Sequence, residues 1–243
     1  MHGIVLLSGG LDSTTVAAHA LNAGYQLRGL CISYGQVHAR EVESARQVAA
    51  RLGIPLDVVD AAFYGSLASH SSLVSGDPAA IPSNRPASDI GEDVPSTYVP
   101  LRNTFFVTVA AAALESWMLG LIEEQGAGPG SLDPAVLVGA NAIDYSGYPD
   151  CRPEFYTALE EVLRLGSKLG SLYGVRMRIE APIISMSKAD IARHASELGA
   201  PVDATWSCYR GGERPCGTCD SCVLRAQGFA TAGLADPALV AAP

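Results

Sequence analysis

Apolar residues alternate along the chain between short solid runs and staggered sets. Gly3-Ile4-Val5-Leu6-Leu7 is a run of strand length with no polar face, the pattern of a strand buried on both sides. Asp12 to Ala23 follows with small and apolar residues at helical spacing, stopped by Gly24. Gln26 to Tyr34 and Leu56 to Asp60 predict a second and a third strand. Between them, His38 to Leu52 places Ala45, Val48, Ala49 and Leu52 on one helical face, and Gly53 with Pro55 ends it. Asn103 to Ile122 predicts a helix of small residues, and Ala135 to Gly139 a fourth strand. Pro153 to Leu169 predicts a helix opened by proline. Val175 to Ala181 predicts a fifth strand. Ser187 to Leu198 predicts a helix in which Ser187 and Asp190 have the spacing of a capping box. Five strands separated by helices predict an α/β fold, a doubly wound and mainly parallel sheet covered on both faces.

Three stretches break the alternation. Most of Ser66 to Pro100 predicts a long surface loop, of the kind that is a lid, a binding loop or a disordered segment. Glu123 to Pro134 predicts a second, insertion-like loop. Ala230 to Pro243 reads as an Ala- and Pro-rich tail, docked or frayed. The expected organisation is an α/β domain over 1–203 and a metal-binding segment over 204–243, packed as one unit.

Composition narrows the class. A chain of 243 residues, 48% hydrophobic, can bury one sizeable core. No apolar run reaches the roughly 20 residues of a membrane span, and the first residues lack the basic start and cleavage site of a signal peptide. The expectation is a cytoplasmic enzyme with no membrane partner. A net charge of −9 argues against nucleic acid as the main partner, because phosphate-backbone affinity depends on neutralising cations.

Three stretches carry chemistry. "LLSGGLDSTT" (Leu7, Ser8, Gly9, Gly10, Leu11, Asp12, Ser13, Thr14 and Thr15 after Leu6) joins the first strand to the first helix. Glycines let a ligand approach the backbone, hydroxyls and helix-start amides can hold phosphate oxygens, and Asp12 calls for a bridging Mg²⁺. The loop lacks the lysine of the usual nucleoside-triphosphate loop. The bland alternative is a glycine turn with serine caps. "WSCYRGGERPCGTCDSC" sets Cys208, Cys216, Cys219 and Cys222 at gaps of seven, two and two residues, enough for one metal. A closed four-sulfur shell suits structural Zn²⁺, with an iron–sulfur cluster as the alternative. "GANAIDYSGYPDCRPEF" concentrates Asn141, Asp144, Tyr145, Ser146, Tyr148, Asp150 and Arg152 after the fourth strand, where such sheets place ligands. A carboxylate there can pair with a guanine-type edge, tyrosines can stack on it, and arginine can hold an anion. Asp150 could equally be a helix cap, and Cys151 reads as packed rather than nucleophilic. Softer candidates are His38 as a base or substrate contact, Arg102 as an anion contact, and Lys188 at a helix start, where it opposes the dipole.

"SGGLDS" after a strand resembles the loop of the ATP-pyrophosphatase families, which cleave ATP between the α and β phosphates. With "SYGQVHAREVESA", "TYVPLRN", "DYSGYPDCRPEF", "ISMSKADI" and "SCYRGGERPCGTCDSC" in order over nearly the whole chain, the sequence resembles the 7-cyano-7-deazaguanine synthase family. It departs at Ser83 to Ser96 and Glu123 to Pro134, which look longer than in compact members. The resemblance implies an adenine-nucleotide α-hydrolase-like fold and an ATP-dependent carbon–nitrogen ligase. Its substrates would be 7-carboxy-7-deazaguanine, Mg-ATP and ammonia, on the route to queuosine. It also implies Ser8 to Thr14 on ATP, Zn²⁺ on the four cysteines, and a homodimer. Asp12, Ser13, Lys188, Arg102 and His38 are the expected catalytic set. Two rivals are a relative coupling the deazaguanine to another amine, such as a protein N-terminus, and a zinc-ribbon nucleic-acid-binding module.

Overall fold

A computed structural model describes residues 1–35, 40–74, 77–86, 90, 94–141 and 148–240. Five parallel strands, β1 (His2–Leu6), β2 (Gln26–Ser33), β3 (Leu56–Asp60), β4 (Pro134–Leu137) and β5 (Arg178–Glu180), form one sheet in the order β3-β2-β1-β4-β5. The chain builds outward from β1 to β3, then crosses back to β4 beside β1. That reversal is the point where open α/β sheets leave a crevice for ligands.

Side chains alternate across the sheet, so each strand feeds two cores. Ile4, Leu30 and Val136 face α4 (Arg102–Leu119), α5 (Pro153–Gly166) and α6 (Lys168–Ser171). Val5, Leu27, Ala135 and Leu137 face α1 (Leu11–Asn22), α2 (Arg40–Leu52), α7 (Lys188–Glu197) and α8 (Asp220–Ala232). Both faces are covered, which is why the inner strands β1 and β4 read as nearly solid apolar runs. Ala45, Val48 and Ala49 are buried as their spacing predicts. The capping box of α7 forms: Asp190 N–H donates to Ser187 Oγ and Ser187 N–H to Asp190 Oδ2, each 3.2 Å.

Several expectations are corrected. The 66–100 segment is not simply a surface loop. It begins inside a short helix, α3 (Ala62–Leu67), and buries Ser71, Leu73, Ile81, Thr97 and Val99. Its middle is pinned to the cysteine segment: Asn84 N–H donates to Thr218 O (2.8 Å), and the Arg85 guanidinium pairs with Asp220 (Nη2–Oδ2 2.6 Å). The helix expected over Pro153–Leu169 breaks at Ser167, whose extended backbone caps α6 through Gly170 N–H. The fifth strand shrinks to three residues. The 123–134 loop starts as a π-helical continuation of α4 (Gly120–Glu124) and includes a 3-10 turn at Pro129–Ser131. Together α4 and its π-helical continuation make a helix, Arg102–Glu124, of mean hydropathy 1.8, long and apolar enough to cross a membrane by length and composition alone. One face of it, Val107, Ala110, Ala111, Leu114 and Met118, is buried in the sheet's first core. The tail is docked: Asp236 is buried and α9 (Pro237–Val240) follows it.

Candidate active site

β1 delivers the chain to the loop Leu7–Gly10, and α1 starts at Leu11 with no side-chain cap. The amides of that first turn therefore keep their donors and the positive end of the helix dipole for an anion. Ser8 and Ser13 face each other across the loop, Oγ to Oγ 3.1 Å, and Ser8 N–H donates to Ser13 Oγ at 3.2 Å. Gly9 has φ +80°, and a Cβ there would lie 2.5 Å from Ala45 N and 2.7 Å from Glu41 O of α2. Glycine is required twice, for the dihedral and for the approach of α2. Gly139, beyond β4, is also tight, though less so: its Cβ would meet Ser13 N at 3.0 Å.

Lys188 begins α7, yet its Nζ turns to Asp12 in the first turn of α1, 2.9 and 3.0 Å from the two carboxylate oxygens. The pair is largely buried. Gly228 makes the arrangement possible, since a Cβ there would fall 2.6 Å from Lys188 Cγ.

A cavity of about 290 Å³ opens at the carboxyl ends of β1, β2 and β4. Ser8, Gly10, Asp12, Ser13 and Lys188 line one part of it. Tyr34, Phe106, Tyr148 and Tyr156 with Arg102 line another, and Trp206, Ser207, Cys208, Tyr209 and Arg225 close it. It is thus polar and anion-compatible at the loop and aromatic beyond it. Burial raises the hydroxyl pKa values of Tyr34, Tyr148 and Tyr156 above the ordinary tyrosine value. Burial works against the Arg102 charge, but Tyr34, Tyr148, Asp150 and Cys151 around it prevail, and its pKa is raised. Burial also pushes the thiols of Cys31 and Cys151 up, to about 12 and about 11, so both are neutral near pH 7.

The expected site residues divide. Leu7, Ser8, Gly10, Leu11, Asp12, Ser13, Arg102, Asn141, Tyr148, Lys188 and Cys208 line the cavity. Thr14 and Thr15 do not: both are fully buried, and the Thr15 hydroxyl donates to Leu11 O (2.8 Å). Asn141 lines the wall, and its amide also donates to the Met186 carbonyl ahead of α7. Asp150 is buried and accepts from Asn103 N–H (3.1 Å), so it caps α4 rather than its own α5. Arg152 is exposed at the start of α5, outside the cavity. His38, Asp144, Tyr145 and Ser146 lie outside the described residues. Sequence reasoning passed over Tyr34, Phe106, Trp206, Ser207 and Arg225. Tyr34 closes a strand and Phe106 sits in an apolar helix; neither has a local signal. The polar run beside the cysteines was the available hint for the other three.

Cys208, Cys216, Cys219 and Cys222 bring their sulfurs within 4.8 Å of one another. A tetrahedron with metal–sulfur bonds of ~2.3 Å has edges of about 3.8 Å. Backbone N–H groups of Arg210 and Cys216 point at Cys208 Sγ (3.4 and 3.3 Å), and that of Cys219 at Cys216 Sγ (3.4 Å), the donors that thiolates need. Hydrogen bonds from Cys219 and Cys222 hold the Cys208 thiol low. The donor set fits a metal ion, and Ile81 covers it.

A doubly wound parallel sheet, a glycine loop opening a helix at the switch point, and a four-cysteine cluster beside it that could hold a metal define an α/β protein with a nucleotide-binding type of fold. The family model of the queuosine biosynthesis protein QueC matches residues 2–233, and the chain belongs to that family. The relative named 7-cyano-7-deazaguanine synthase in Thermoplasma acidophilum is 45% identical over 234 residues, 96% of this chain and 90% of the relative. The protein of that name in Synechococcus elongatus is 46% identical over 235 residues, 95% and 91% of the two chains. A solved structure of a predicted subunit of a tRNA methyltransferase from Methanocaldococcus jannaschii overlays with a TM-score of 0.47 at 17% identity, covering 81% of this chain and 75% of that one, a likeness that says nothing of function.

Proposed function

We propose that the protein is an ATP-dependent ligase that converts 7-carboxy-7-deazaguanine and ammonia to 7-cyano-7-deazaguanine. The observation that carries this, beyond family membership, is the single cavity joining an anion-binding loop to an aromatic, arginine-flanked pocket. The proposed place for the flat deazapurine is the side of the cavity lined by Tyr34, Phe106 and Tyr148, with its carboxylate towards the loop. That carboxylate attacks the α-phosphorus of ATP, and pyrophosphate leaves. Ammonia then displaces AMP to give the amide. The amide oxygen attacks the α-phosphorus of a second ATP, displacing a second pyrophosphate, and loss of AMP and the two amide N–H protons leaves the nitrile.

The residues divide that work. Ser8, Ser13 and the first amides of α1 hold the leaving pyrophosphate, where preorganised donors lower the barrier most. Asp12 has the chemistry to take the Mg²⁺ that accompanies ATP, and Lys188 to neutralise a phosphate oxygen. Arg102 steadies the substrate anion. His38, Asp144, Tyr145, Ser146, Asp150 and Arg152 remain proposed substrate contacts on the resemblance alone. Zn²⁺ on the four cysteines would tie the C-terminal segment down and stabilise the fold. Six unpaired cysteines and the use of ATP support a cytoplasmic setting. A homodimer follows from the resemblance, and the net charge of −9 supports small-molecule rather than nucleic-acid partners. Residues 1–203 form the proposed α/β domain and 204–243 the metal segment, a division supported by where the cysteine run begins. Coupling to another amine, or a nucleic-acid module, is not favoured by the relatives.

The test is incubation with 7-carboxy-7-deazaguanine, ATP, Mg²⁺ and ammonium, following the base by mass. Amide and then nitrile are expected. Neither forming with metal-replete protein would remove the reading. Metal analysis should find one Zn²⁺ per chain; iron with sulfide would replace zinc.

A further inference from the structure

The tail and the residue it grips are not accounted for by the chemistry above. Arg225 on α8 is 8% exposed and Asp236 in the tail is 8% exposed. Their side chains pair in two places, Nε to Oδ2 at 2.6 Å and Nη2 to Oδ1 at 2.9 Å. A buried ion pair of this kind demands that the remaining donors be used. Two of the three that remain are used: Arg225 Nη1 donates to Thr205 Oγ1 (2.9 Å) and Ser207 Oγ (3.0 Å). Between those residues, Trp206 N–H donates to Gly9 O of the loop (2.9 Å), and Trp206 and Ser207 line the cavity. The guanidinium is a planar fork with fixed donor directions, so clamping its Nε–Nη2 edge on Asp236 sets where Nη1 can hold a partner.

We infer that Arg225 is a positioning residue that fixes the Thr205–Ser207 wall against the phosphate loop, and that Asp236 locks it in that pose, making the C-terminal tail part of the nucleotide site. The inference rests on the proposed use of the loop for ATP. Lysine cannot substitute for Arg225, because one ammonium cannot reach a carboxylate and two hydroxyls in different directions at once. Asp236 also accepts from Ala238 N–H (3.1 Å), so the tail and the wall share one carboxylate.

The experiment is direct ATP binding by calorimetry, with KM for ATP measured alongside, on wild type, Asp236→Asn, Arg225→Lys and Ser207→Ala. All are checked for wild-type metal content and far-ultraviolet dichroism. Misplacing a wall of a site by about 1 Å costs up to about 100-fold in what it positions. Kd and KM for ATP should rise together by that order in Asp236→Asn and Arg225→Lys, and in the same direction in Ser207→Ala. A merely structural pair would lower Tm and the active fraction and leave Kd and KM where they were, and that result overturns the inference. If the two ion-pair variants do not fold, Ser207→Ala decides, since it leaves the pair whole: unchanged Kd refutes the wall. Wild-type protein that binds ATP yet makes no nitrile refutes the proposed reaction and not the wall; wild type that binds no ATP refutes the nucleotide reading itself.

Discussion

Lys188 Nζ sits 2.9 Å from Asp12 Oδ2 and 3.0 Å from Oδ1, although 176 residues separate the two in the chain. Each belongs to the first turn of a helix, α7 and α1, which pack together. A lysine at a helix start opposes the dipole. Here the side chain leaves its own helix for an acid in the next, so the charge is compensated and held beside the loop.

Removing either charge should disable the loop. Asp12→Asn and Lys188→Met should each lower the rate of pyrophosphate release by at least ~10²-fold, the usual cost of one preorganised electrostatic group. The double variant should fall well short of the product of the two losses, since the groups act on one another. Steady-state pyrophosphate release with metal-replete protein measures both. Retained activity in Asp12→Asn would end the reading of the loop.

Gly9→Ala tests the loop's geometry rather than its charge. The new Cβ must take φ +80° and would stand 2.5 Å from Ala45 N. Left-handed strain and overpacking against a backbone atom together cost about 2–4 kcal/mol. Urea unfolding should show it as a lower midpoint with an unchanged m-value. A loss below ~1 kcal/mol would mean that α2 moves away freely.

The aromatic half of the cavity should answer to the base and not to ATP. Phe106→Ala and Arg102→Gln should raise KM for 7-carboxy-7-deazaguanine by about tenfold or more, each tenfold being about 1.4 kcal/mol of lost interaction. The Kd for ATP should stay near wild type. Calorimetry with ATP and initial rates with the deazaguanine separate the two. A matched rise for both ligands would place the base elsewhere.

His19 on α1 and His194 on α7 touch ring to ring, Nδ1 to Nε2 at 3.1 Å. Burial first, and then the neighbouring His194, lower the His19 pKa below its ordinary 6.5. The folded state thus binds protons more weakly than the unfolded one. Stability should be full above pH ~6.5 and decline as the pH falls below it, where the unfolded histidine protonates first. Urea midpoints measured from pH 7.5 to 5.5 should show that decline. His19→Gln should flatten part of it; an unaltered slope would assign the decline to other groups.

The inner strands β1 and β4 were legible because they are buried on both faces and so almost wholly apolar, and the outer ones because turn residues bound them. β3 runs over Leu56–Asp60, as the sequence predicts, and α2 buries the face its spacing marks. The glycine loop and the cysteine spacing were legible because a phosphate site and a metal shell impose local rules on consecutive residues. The 66–100 segment was not. Its proline-rich composition describes a backbone without repeating hydrogen bonds. It does not describe where Ile81 goes, and Ile81 packs on the cysteine cluster only because a distant segment offers it an apolar floor. Asp150 misled for a related reason: a carboxylate next to a helix start reads as that helix's cap, yet it serves α4 across the fold.

By itself the sequence determined the alternation that makes a parallel sheet, the loop that opens α1, the four-cysteine shell, and through its motifs the family. These depend on neighbours in the chain, whose spacing is covalent. Tertiary structure alone decided that Lys188 meets Asp12, that Arg102 stands among Tyr34, Tyr148 and Asp150, that Thr14 and Thr15 turn away from the cavity, and that Arg225 and Asp236 brace its wall. Such contacts depend on how helices and strands far apart in sequence pack, where one glycine such as Gly228 sets the approach to within a side chain's width.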